Sequence, residues 1–189
     1  MLLNLADKIR QDHFCPEVIV GISRGGWPPA RVISDLLGNP ELANVRVEFY
    51  LGVAETKEKP IITQPVSVPV KDLNILILDD VADTGKSLQL VREHVIEQGA
   101  KTVKTATIYY KPWSVIVPDY YVRETRKWVV FPWERRETVK FLLREFSRRG
   151  IQIDVAKKKL ISGGMKRDLL ERFLNELAKE GEDEGSQNL

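Results

Sequence analysis

Two adjacent carboxylates, Asp79 and Asp80, end the apolar run Leu73-Asn-Ile-Leu-Ile-Leu78, and a third, Asp83, opens the hydroxyl-rich turn Thr84-Gly85-Lys86-Ser87. The run reads as a central parallel strand covered on both faces, and its C-terminal edge is where open α/β sheets bind ligands. Thr84, Gly85, Lys86 and Ser87 can present backbone N–H groups, two hydroxyls and a helix's positive end to a phosphate, with Gly85 allowing the tight turn. Carboxylates repel phosphate, so Asp79 and Asp80 suit the hydroxyls of a sugar, directly or through a hard cation such as Mg²⁺. Together these residues describe a site for a sugar phosphate. Other readings fit less well. Gly85-Lys86-Ser87 imitates the end of a P-loop, but that pattern needs glycine at position 80, where Asp80 stands. A helix-capping role accounts for one aspartate and not for three. Asp-x-Asp phosphotransfer schemes are a further alternative.

A second cluster, Gly21-Ile-Ser23-Arg24-Gly25-Gly26, also follows a strand and precedes a helix. It satisfies the Gly-x-Ser-x-Gly pattern of a hydrolase nucleophile elbow, yet the histidine such a triad needs would have to be His94, inside the helix expected after the phosphate loop. As an anion loop the same residues offer a guanidinium and backbone N–H groups to a doubly charged group. A third cluster is aromatic: Tyr109-Tyr110-Lys111-Pro-Trp113, Tyr120-Tyr121, and Lys127-Trp128-Val129-Val-Phe-Pro-Trp133-Glu134. Rings of this kind stack on flat ligands, although in most proteins they belong to cores or interfaces.

The elements that must hold these clusters follow from periodicity. Leu2 to His13 has apolar residues at helical spacing, Glu17 to Gly21 is a strand, and Pro28-Pro29 open a helix through Leu37. Strands are expected at Val45 to Leu51, near Ile61 and Val66, at Leu73 to Leu78, Val103 to Tyr110, Tyr120 to Arg123 and Trp128 to Phe131. Leu88 to Gln98 and Val139 to Phe146 read as helices, as does the chain from Ile151 on. The alternation makes the fold α/β. The chain has 189 residues, a net charge of +2 and one cysteine, Cys15. That balance does not announce a nucleic-acid or membrane surface, no apolar run nears the ~20 residues that cross a bilayer, and the charged N-terminus does not read as a signal peptide. A cytoplasmic location is expected, with Cys15 a small buried hydrophobe and no metal role for His13 or His94.

The strand, two acids, two small residues, Asp83-Thr84-Gly85 and nearby Ser87 resemble the signature of the type I phosphoribosyltransferases. Ser23-Arg24-Gly25-Gly26 resembles their pyrophosphate loop, as the bacterial xanthine-guanine enzymes carry it, and Lys111-Pro with Trp128 to Trp133 resembles their purine-binding hood. The resemblance spans about Glu17 to Glu134. It implies a Rossmann-like central parallel sheet flanked by helices, with a small base-binding hood. It also implies Mg²⁺-dependent transfer of ribose 5-phosphate from phosphoribosyl pyrophosphate (PRPP) to a purine, for salvage. In that scheme Ser23, Arg24 and Gly25 bind pyrophosphate, and Thr84 to Ser87 bind the 5-phosphate. Asp79 and Asp80 bind ribose hydroxyls, one of them reaching the metal. Asp83 acts as general base or acid at the purine imidazole. Lys111 meets a 6-oxo group, Trp128 stacks on the base and the Val129 carbonyl receives its exocyclic group. Trp133 matches too, as a structural residue. The family's pyrophosphate loop often begins with a cis peptide, here Ser23–Arg24, and Glu55 to Lys59 falls where a lid closes over PRPP. Gly-Lys-Ser replaces the Gly-Gly-Thr common in the bacterial enzymes, which leaves adenine open beside guanine, hypoxanthine and xanthine.

The expected domains are 1–134, holding catalysis and hood, a helical C-terminal extension over 135–180, and a disordered acidic tail over 181–189. Between Glu134 and Leu170 stand eleven Lys and Arg against five acids. A PRPP-responsive nucleic-acid regulator on the same fold is therefore an alternative. A solvated or dimer-forming appendage accounts for the same charges, so the expected partners are PRPP, a purine and further copies of the chain in a dimer or tetramer, without membrane or nucleic acid.

Overall fold

The computed structural model describes residues 1–50 and 59–186 and divides into two compact units, Met1–Trp128 and Val129–Leu189. The first contains α1 (Leu2–Gln11), β1 (Val18–Ser23), α2 (Trp27–Leu36), β2 (Glu41–Tyr50), β3 (Lys59–Gln64), β4 (Asn74–Ala82), α3 (Lys86–Glu97), β5 (Thr102–Tyr110) and β6 (Tyr120–Glu124). Its six strands lie in the order β3-β2-β1-β4-β5-β6. All neighbours are parallel except β2 and β3, so the expected parallel sheet carries one antiparallel edge strand.

The core explains the sequence of β4. Ile75 and Ile77 join Val18, Val20 and Ile22 of β1 on one face, where Leu88, Val91 and Val95 of α3 cover them. Leu76 and Leu78 point the other way, to Ile19, to Leu5, Ala6 and Ile9 of α1, and to Ala30 and Ile33 of α2. A strand buried on both faces needs an unbroken apolar run, and the helix after β1 and the helix after β4 therefore lie on opposite faces. β1 and β4 flank the point at which the strand order reverses, where such sheets open a ligand crevice.

Three expectations are corrected. No strand forms at Val66, which Pro65 and Pro69 bracket; proline supplies no N–H to a ladder. Trp128 to Phe131 is not a strand either, since the chain leaves the sheet at Glu124, and a short 3₁₀ turn at Pro132–Glu134 follows. Cys15 is exposed, in the connection between α1 and β1, where its Sγ lies 3.9 Å from the His13 carbonyl.

The second unit consists of that turn, α4 (Arg135–Arg148), α5 (Ile153–Ser162) and α6 (Arg167–Ser186). Val139, Leu160 and Leu170 form its apolar centre, with Leu142, Leu143, Phe173, Leu174 and Leu177 packed around them. Of the expected acidic tail, residues 187–189 lie outside the described residues, as does the lid apart from Lys59, the first residue of β3.

Candidate active site

Strand lengths create the site. Pairing of β1 with β4 ends at Gly21 opposite Leu78, while pairing of β4 with β5 continues to Ala82 opposite Tyr110. Asp79 and Asp80 therefore stand on the part of β4 that β1 has already left, and the loop after β1 fills the vacated flank. A Cβ on Gly26 would lie 2.4 Å from the Leu78 carbonyl oxygen, and one on Gly25 would lie 2.4 Å from Asp80 Oδ2. Only glycine lets the loop backbone approach so closely. Asp80 is 4% exposed against it, whereas Asp79 is half-buried and its Oδ1 accepts the Asp80 backbone N–H at 2.9 Å. The Ser23–Arg24 peptide is cis, and the Arg24 side chain is exposed.

The phosphate turn forms where β4 stops. Gly85 has φ +75°, in the left-handed region that favours glycine, and it sits at the N-terminal end of α3. The Lys86 N–H points toward Thr84 Oγ1 at 3.5 Å. Lys86 and Ser87 open the helix, so their backbone N–H groups are among those that no helical carbonyl can satisfy.

A second loop, from Lys111 to Val117, fastens onto this turn. The Lys111 N–H donates to the Ala82 carbonyl at 3.0 Å, and the Val115 N–H donates to the Thr84 carbonyl at 2.9 Å. Ser114 takes the space beside Gly85, its Oγ only 2.2 Å from where a Cβ would be, and donates to the Ile116 carbonyl at 2.7 Å. The Lys111 side chain is buried; its Nζ donates to the Lys127 carbonyl and lies 5.5 Å from the centre of the Trp113 ring. Trp113 in turn donates its indole N–H to Asp83 Oδ1 at 3.0 Å.

The structure thus gathers Ser23, Arg24, Gly25, Asp79, Asp80, Asp83, Thr84, Gly85, Lys86, Ser87 and Lys111 at one edge of one sheet. Trp128 is 61% exposed and is joined to that edge through its neighbour Lys127. Val129 is half-buried and belongs to the second unit. Trp113 and Ser114 were missed as site residues. Their adjacency to Lys111 was a signal, but their contacts with Asp83 and Gly85 join stretches far apart in the chain.

A model of the phosphoribosyl transferase domain matches residues 3–137. A xanthine-guanine phosphoribosyltransferase of Gluconobacter oxydans is 33% identical over 132 residues, covering 69% of this chain and 76% of the relative. Its counterpart in Cereibacter sphaeroides is 34% identical over 126 residues, covering 65% and 72%. Among solved structures, a purine phosphoribosyltransferase from Pyrococcus horikoshii superposes with a TM-score of 0.64 at 46% identity, covering 70% of this chain and 85% of that one. A Helicobacter pylori xanthine-guanine-hypoxanthine phosphoribosyltransferase, at 22% identity and a TM-score of 0.62, shares the fold.

Proposed function

Because the chain belongs to the phosphoribosyl transferase family, we propose that it is a purine phosphoribosyltransferase of salvage, moving ribose 5-phosphate from PRPP to a 6-oxopurine. The observation that carries this reading is the packing of Gly25 on the Asp80 carboxylate, with Gly26 against the backbone of Leu78 and Asp79. Thr84 to Ser87 hold the 5-phosphate with helix-end N–H groups and hydroxyls, and Ser23, Arg24 and Gly25 hold the pyrophosphate. Asp79 and Asp80 grip the ribose hydroxyls between those two anion pockets.

The C1′–oxygen bond to pyrophosphate breaks, the C1′–nitrogen bond to the base forms, and the proton leaving the imidazole ring passes to Asp83. Fixing both ends of PRPP keeps the reacting atoms together while positive charge develops on the ribose. Lys111 donates to the 6-oxo oxygen and Trp128 stacks on the purine.

Purine phosphoribosyltransferases work with Mg²⁺, and the acids here fit it. Among the described residues no three His, Cys, Asp or Glu cluster as a cage. Two neighbouring carboxylates at an open strand end suit an ion that keeps waters and takes further oxygens from a substrate. Asp79 and Asp80 would hold it, and it would neutralise charge on the departing pyrophosphate. Self-association into a dimer or tetramer belongs to the same proposal, and sizing in solution tests it.

The test is a screen with PRPP, Mg²⁺ and guanine, hypoxanthine, xanthine or adenine in turn, reading nucleotide and pyrophosphate. Turnover with 6-oxopurines is expected. Adenine as the best base would remove the role given to Lys111, and no turnover with any base would remove the function.

A further inference from the structure

Asp83 lies beyond the end of β4, is exposed, and has no element of its own to fix its rotamer. A general base needs its carboxylate held where the proton will be. The structure supplies that hold from the Lys111–Val117 loop, since the Trp113 indole N–H meets Asp83 Oδ1 at 3.0 Å. Trp113 is 51% exposed, so burial does not account for the contact. Its loop is itself anchored on both sides of the contact: Lys111 N–H to the Ala82 carbonyl before it, Val115 N–H to the Thr84 carbonyl after it, with Ser114 seated against Gly85. The Lys111 ammonium lies 5.5 Å from the centre of the ring, within reach of a cation–π contact.

We infer that Trp113 is a positioning residue for the transfer, holding one oxygen of Asp83 so that the other remains to accept the purine's proton. The inference rests on the proposed function, because it needs Asp83 as the base. It also couples the two ends of base recognition, since the loop that brings Lys111 to the 6-oxo edge aims the carboxylate at the imidazole edge.

The experiment compares wild type, W113F, D83N and the double variant in guanine transfer, with PRPP varied. W113F is expected to lose roughly tenfold in kcat, the scale of one hydrogen bond to a charged group, with KM for PRPP unchanged. The double variant is expected to be no slower than D83N, because the indole has then lost the group it positions. Losses that multiply, a parallel rise in KM for PRPP, or an unchanged kcat in W113F would each overturn the inference. Should W113F fold poorly, benzothienylalanine at position 113 keeps the ring and replaces the N–H with sulfur, with the same expected loss. In the NMR spectrum the Trp113 indole N–H resonance is expected to move in D83N, and a stationary resonance counts against the contact. Wild type inactive with every purine would instead sink the parent function, and the resonance would still decide whether Trp113 holds Asp83.

Discussion

In the sheet unit, fully buried side chains line both faces of β1 and β4, and every proposed phosphate or ribose contact hangs from a strand end or loop next to them. The helical unit is centred on Val139, Leu160 and Leu170 and adds ion pairs between helices. Arg136 bonds Glu176 and Glu180, Lys140 lies 3.4 Å from Glu180, and Lys157 lies 3.2 Å from Glu171. Several cations that gave this stretch its basic look are thus spent on acids of α6. Deep apolar support lets unlike polar groups sit close in fixed places, as catalysis requires, whereas ion pairs that solvent still reaches adjust and each contributes little.

The comparison can be broken most severely at the sheet edge. Asp83→Asn is expected to lower kcat by about 10²–10⁴-fold in a single-turnover assay while PRPP still binds; near-normal turnover would strip the edge of its base. In the helical unit, Leu170→Ala removes a fully buried side chain and is expected to cost about 2–5 kcal/mol, read as lost hydrogen-exchange protection in α4 to α6. Protection unchanged there would mean that this small core does not hold the helices. Gly26→Ala forces a methyl against the Leu78 carbonyl and is expected to cost about 1–3 kcal/mol in denaturant unfolding, a sharper test of loop packing than any polar change. Lys111→Ala is expected to raise KM for guanine about tenfold or more and to leave PRPP binding nearly untouched; equal losses in both would end its role as base reader.

Acid gives the smallest effect. Glu176 is held below its ordinary carboxylate value chiefly by the hydrogen bond from Arg172, and Glu180 by that from Arg136. Lowered values mean that these pairs contribute fully above the ordinary carboxylate range and cease to contribute as pH falls through the lowered values. Both groups are half-buried and still reached by solvent, so only a slight, salt-sensitive loosening of the helices is expected on acidification, visible by NMR of the glutamates.

Much of the site was legible because its parts are contiguous in sequence. Asp79 to Ser87 is one strand end and one helix start, and apolar periodicity alone places it. The unbroken run Ile75 to Leu78 announced a doubly covered strand, and both faces are covered. What could not be read depends on partners far along the chain. The burial of Asp80 arises because β1 ends its pairing early, and the grip of Trp113 on Asp83 crosses thirty residues. Trp128 to Phe131 looked like a strand because aromatic and β-branched residues favour one, yet pairing requires a neighbouring edge as well as propensity.

The adjacency of β1 and β4 sets a ruler for the two loops that follow them. Hydrogen-bonded strands stand about 4.8 Å apart in any protein, so the gap between loops that grow from two such strands is inherited from the peptide ladder rather than from side chains.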